Sequence, residues 1–202
     1  MKEAEKKLLD EAIHQQELGN FPQAKKICAD ILERDPTNVF ALHLIGMIYG
    51  RLGDIPKAIE NLEKALSINP QSPVLHNHLA NLLAKSNNVA AAIKHYRKAL
   101  QIDSQYFDAH QNLGLLFLKQ GQLNQAKKEF KNVLHILPDY FPARFYFATK
   151  GSPHFTDTLE AVRLCGRCPT PGISAAEASI LCGKPLTRAI FNSICSPQEV
   201  KK

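Results

Sequence analysis

Residues 107–126 read Phe107-Asp-Ala-His-Gln-Asn-Leu-Gly-Leu-Leu-Phe-Leu-Lys-Gln-Gly-Gln-Leu-Asn-Gln-Ala126, and the stretch runs on to Pro138. Its last residue is the fourth of a series, because Ala24, Ala58, Ala92 and Ala126 stand 34 residues apart. Other columns keep the same period. Leu32, Leu66, Leu100 and Leu134 form one, with Ile31, Ala65, Ala99 and Val133 just before it. Gly19, Gly53, Asn87 and Gly121 form another, and Pro36, Pro70, Ser104 and Pro138 close each copy. Self-similarity at one fixed period over four copies is the signature of a repeat architecture.

Each copy reads as two helices. In the second, Leu42, Ile45, Gly46 and Tyr49 carry the i, i+3, i+4, i+7 stripe of a first helix. Gly53 ends it where a left-handed residue is wanted, and Asn87 takes that place in the third copy. Ala58, Leu62, Ala65 and Leu66 then face inward from a second helix, which cannot continue through Pro70. Ala12, Gly46, Ala80 and Gly114 are a column of small residues that lets the first helix lie close to its partner. Cys28 falls in a core column with Leu62, Tyr96 and Phe130, as a small buried hydrophobe. A single hairpin cannot bury its apolar face, so neighbouring copies must stack to complete the core.

The copy 107–140 resembles a tetratricopeptide repeat, and the resemblance extends over residues 5–38, 39–72, 73–106 and 107–140, about two-thirds of the chain. Ala143 and Phe147 suggest that residues 141–150 open a partial fifth repeat or a capping helix. Departures stand out where a large residue opens the first helix, a position held here by Leu8, Leu42, His76 and His110. His76 and His110 are expected to replace an aromatic there, half-buried. Copy one has Glu11 and Gln15 at usually apolar sites, as suits a terminal repeat with a polar outer face.

The resemblance implies an all-α fold, a right-handed superhelical solenoid of helix–turn–helix repeats whose first helices line a concave groove for a peptide or partner protein. Mapped onto this chain, the groove residues are Phe40, His43, Met47 and Arg51, then Val74, Asn77, Asn81 and Lys85, then Asp108, Gln111, Asn112, Leu115 and Lys119. The amides offer donors and an acceptor that suit the backbone of an extended segment. Arg51, Lys85 and Lys119 recur in one column and could hold a carboxylate, although cations near a helix end also suit the helix dipole. The two-carboxylate clamp of chaperone-binding relatives is incomplete, because Val74 and Asp108 stand at its lysine positions. The stretch Ala92-Ile-Lys-His-Tyr-Arg-Lys-Ala-Leu100 also resembles repeats that precede glycosyltransferase or methyltransferase domains. A docking part or remnant of such a transferase is therefore the alternative reading.

Composition bounds the chemistry. Over 202 residues, 45% are hydrophobic and 22% charged, both near the globular average, which argues against general disorder. The net charge of +6 is spread among acids, as in Glu60, Glu63 and Lys64, which fits a solvated helix face better than a nucleic-acid stripe. The charged first ten residues show no secretory signal, no apolar run is long enough to span a bilayer, and five cysteines fit a reducing compartment, so a cytoplasmic location is expected. No Ser/His/Asp set, glycine-rich phosphate loop, paired acid–base carboxylates or His-Glu-x-x-His pattern can be placed, so no enzyme and no cofactor is expected. His76 and His78, two apart on a helix, face different ways and are poor joint metal ligands.

Beyond Lys150 the period stops. Residues 151–202 hold Cys165, Cys168, Cys182 and Cys195 and are richer in proline. Short helices are expected over 156–165, 174–182 and 186–194, the second opened by the capping box Ser174-Ala-Ala-Glu177. Four thiolates could hold a structural zinc, but the second pair is spread over 12 intervening residues rather than forming a close knuckle. The segment also suits a cap over the last repeat, through Phe145, Phe147, Leu159, Val162 and Leu164, or a frame-shifted end. The expected function is a protein-interaction scaffold, and self-association of the array is a further possibility.

Overall fold

The computed structural model describes residues 3–140 and 142–143. The expected cap, the three tail helices and the four tail cysteines lie outside the described residues. Eight helices and no strand occur among those described. They are α1 (Glu3–Glu17), α2 (Phe21–Arg34), α3 (Val39–Leu52), α4 (Ile55–Ile68), α5 (Pro73–Lys85), α6 (Val89–Ile102), α7 (Phe107–Lys119) and α8 (Leu123–Ile136). The fold is the expected all-α array of helical hairpins, and no described helix is long and apolar enough to cross a membrane.

The starts of α3, α4, α5 and α6 are capped by short polar side chains. Asn38 Oδ1 accepts the Ala41 amide at 3.0 Å, and Ser72 Oγ accepts that of Leu75 at 3.3 Å. Each satisfies one of the orphan donors of a first turn. Pro22, Pro56 and Pro73 stand in the first turns of α2, α4 and α5, where no amide donor is needed. The bends within the hairpins use left-handed backbone. Gly19, Gly53 and Gly121 have φ of 77°, 85° and 71°, and Asn87, at 63°, is the one non-glycine residue with positive φ among those described. Gly53→Val should therefore cost about 1–2 kcal/mol or more in urea unfolding, while Asn87→Gly should change stability by no more than about 0.5 kcal/mol.

The chain divides into two compact units, Met1–Ala109 and His110–Lys202. In the first, each helix packs on the next, and the first helices also meet in turn, α1 on α3 and α3 on α5. The alanine column is wholly buried, and so are Ile31, Ala65 and Ala99. Two clusters result, one joining Leu9, Ile27, Cys28 and Ile45, the other Leu42, Leu62, Leu75 and Leu79. Burial pushes the Cys28 thiol up to about 12, which keeps it protonated and inert. Between α3 and α4 the small column matters directly, since a Cβ added at Gly46 would lie 3.2 Å from Leu62 and 3.3 Å from the Ala58 carbonyl. The Lys25 and Lys57 ammonium groups lie 5.6 and 5.5 Å from the centroid of the Tyr49 ring. On α1, Glu11 is exposed and accepts a hydrogen bond from Gln15 at 2.7 Å, consistent with a polar terminal repeat.

In the second unit Phe130 is fully buried and fills the space that Gly114 leaves, because a Cβ there would stand 3.1 Å from the ring. Ala126 and Val133 are buried with it.

Candidate protein-interaction face

Within the first unit the residues expected to line the groove stand on α3 and α5, one repeat apart. Phe40 and Val74 occupy equivalent places in the first turns of these helices and are 64% and 38% exposed; Ile13, Leu18, Leu52, Ile68, Leu123 and Leu137 are the other exposed large apolar groups among the described residues. Met47 is half-buried, and Arg51 and Lys85 are exposed in the last turns. The apolar side chains thus stand at one end of each helix and the cations at the other.

The asparagines are placed differently from the expectation of freely offered amides. Asn77 is only 2% exposed and hydrogen-bonds Tyr106, and Asn81 Oδ1 accepts the Tyr96 hydroxyl at 2.5 Å. Both therefore bond hydroxyl groups of their own repeat, that of the buried Tyr96 and that of the half-buried Tyr106, which Asp108 also bonds. Burial, and then the nearby Asp108 carboxylate, push the Tyr106 phenol up to about 12. Asp108 itself is exposed.

His43 is half-buried, with its Nε2 2.6 Å from Nδ1 of His78 on α5. Burial pushes His43 down to about 4, helped by His78. His78 is also lowered by burial, with Asp108 acting the other way. His76 points to the opposite flank of α5. Its Nδ1 lies 3.0 Å from Nδ1 of His95 on α6, and its Nε2 lies 3.2 Å from the Pro70 carbonyl oxygen. It is more deeply buried than a half-buried aromatic substitute would be. The opposed directions of His76 and His78 follow from their two-residue spacing.

Sequence reasoning missed the pairing of His78 with His43, of Tyr96 with Asn81 and of Tyr106 with Asn77. A signal for the first existed, since His43 and His78 are 35 apart, one repeat plus one residue. Choosing between residues 77 and 78 as the partner of His43 needs the register between α3 and α5, which the period alone does not supply.

In the second unit Gln111, Asn112 and Leu115 are half-buried and Lys119 is exposed on α7. His110 Nδ1 meets Glu129 Oε2 at 2.6 Å, with side chains 8% and 12% exposed. No group of three or more side chains placed to hold a metal occurs among the described residues.

Profiles of the tetratricopeptide repeat family match residues 46–87, 80–121 and 107–140. Among solved structures, PilW, a widely conserved type IV pilus biogenesis factor, superposes with a TM-score of 0.70 at 24% identity, over 96% of this chain and 91% of that one. MamA superposes at 0.64 with 25% identity, over 81% of this chain and 88% of its own. YrrB, a tetratricopeptide protein with an unusual peptide-binding site, gives 0.58 at 19% identity, over 76% and 81%. The 34-residue columns, the hairpins they fold into and the family profiles agree: this chain is a tetratricopeptide repeat protein.

Proposed function

We propose that the chain is a non-catalytic scaffold whose first helices bind a protein or an extended peptide. The repeats would run over 5–38, 39–72, 73–106 and 107–140. The observation that carries this reading is the exposure of Phe40 and Val74 at matching places on adjacent first helices. Apolar groups held out on preformed helices are ready contact points, and rigid helices avoid an ordering cost when the partner arrives. Arg51 and Lys85 would favour acidic groups on the partner. His43, Met47 and Asp108 belong to the same face, and Gln111, Asn112, Leu115 and Lys119 would serve in the fourth repeat. Asn77 and Asn81 would support this face from within, given their bonds to Tyr106 and Tyr96. YrrB, which shares this fold and has a peptide-binding site, supports the reading.

The test is capture from the source cell's lysate by the full chain, with quantified recovery of each partner. Phe40→Asp with Val74→Asp should reduce recovery at least tenfold, because both changes place charge in an apolar contact. Glu63→Ala with Lys64→Ala, on the exposed face of α4, should leave it unchanged. Equal recovery by all three proteins would remove the inner face from consideration.

A further inference from the structure

We propose that His43 and His78 form a proton-operated latch between the second and third hairpins: the pair holds α3 to α5 when it carries no more than one added proton, and a second proton parts them. Nitrogens 2.6 Å apart cannot face each other as two lone pairs or as two N–H groups, so one hydrogen lies between them. The rings are within 14° of parallel with centroids 4.8 Å apart, a separation that fits two imidazoles meeting edge to edge across an N–H···N bond.

Proton counting gives the rest. In the neutral pair one ring donates through its inner nitrogen and keeps a lone pair on its outer one, while the acceptor ring already carries its hydrogen outside. A first added proton goes to the outer lone pair of the donor ring and strengthens the bond by charging the donor. After that, the sole lone pair left is the one accepting the bond. A second proton can be bound there only by breaking it, and two like charges then face each other across the seam.

The other flank of α5 obeys the same count. The Pro70 carbonyl can only accept, so His76 donates from Nε2 and accepts at Nδ1 from His95. One proton can enter at the outer nitrogen of His95, whereas a second would break the bond. Among the described residues, the charged groups acting on the four rings are Asp108 on His78, which favours its proton, and Lys98 on His76 and Lys94 on His95, which oppose theirs. Burial lowers the proton affinity of all four rings.

The consequence for stability has a definite sign. His43 falls from the usual 6.5 to about 4 in the folded chain. Between those values the unfolded chain binds the proton and the folded one does not, so stability is full above about 6.5 and drains as pH falls toward 4. His43 lies on the proposed docking face, so opening the latch would also reshape that face; this consequence alone rests on the docking reading.

The test needs no partner. Imidazole nitrogen NMR on the full chain from pH 7.5 to 3.5 should show His43 and His78 titrating together in two steps, the second near pH 4. Between pH 7 and pH 4 the unfolding equilibrium constant should rise about a hundredfold more in the natural protein than in His43→Leu with His78→Leu. Parallel pH dependence in the two proteins, or titration of His43 like free imidazole, would overturn the latch. Should the double variant not fold, amide exchange in the natural protein decides: α3 and α5 should open selectively between pH 5 and 4, and uniform opening of all helices would refute it. Loss of the docking activity in Phe40→Asp leaves these readouts untouched, so the two readings fail separately.

Discussion

Phe130→Ala should lower the unfolding free energy by about 3–5 kcal/mol, the largest loss expected from a single truncation among the described residues of the second unit. The ring is fully buried and lies against the α-carbon of Gly114, in the column that holds Cys28, Leu62 and Tyr96 in the other repeats. Truncation removes a full aromatic side chain's burial and leaves a cavity between two helices that cannot close on each other. The relation to Gly114 makes the mechanism testable. Gly114→Ala alone should destabilise, because its methyl would sit 3.1 Å from the ring. In the Phe130→Ala background the same methyl enters vacated space and should recover part of the loss. A double-mutant cycle by urea unfolding measures the coupling, expected at about 1 kcal/mol. Strict additivity would show that the ring and the glycine do not share the space.

Ala58→Leu should cost about 2–3 kcal/mol or more by the opposite route. Ala58 on α4 is completely buried against α3, where its carbonyl and Cβ look onto Gly46 and Gly50. Three additional carbons have no space there, since even a Cβ placed at Gly50 would lie 2.9 Å from Leu82. The helices must separate, and the seam that separates also carries Leu62 and the contact to the next hairpin. In a stack of repeats each hairpin is stabilised by its neighbours, so damage at a central one spreads to both sides. Thermal unfolding followed by circular dichroism should show a midpoint lowered by several degrees and a broader transition. Ala58→Ser, which adds one small atom, should lose less than half as much; similar losses for both would mean that volume is not the cause.

Much of this protein is legible in its sequence because a repeat states the same instruction four times. The alanine column had to be buried, since no larger residue appears at any copy, and it is buried at every copy. The Gly19, Gly53, Asn87 and Gly121 column had to adopt left-handed backbone, and all four do. Here local chemistry decides: left-handed backbone stops a helical run, and glycine or asparagine adopts it at least cost.

The inner face was less legible. Phe40, Val74, Arg51 and Lys85 are exposed at the places the period assigns them. Asn77 and Asn81 instead turn to Tyr106 and Tyr96, partners 29 and 15 residues along the chain. An amide's destination depends on which hydroxyl group reaches it, and that is settled only after the helices pack.

By itself the sequence determined the period, the helical hairpins, their turns and the small residues that let paired helices approach, since each rests on steric or backbone preferences acting within a few residues. Tertiary structure alone decided that His43 meets His78 rather than residue 77, and that His76 turns away toward His95. Such pairings depend on the register and rotation between neighbouring helices. A shift of one residue turns a side chain by about 100° around a 3.6-residue helix, and only the packing of whole hairpins fixes that angle.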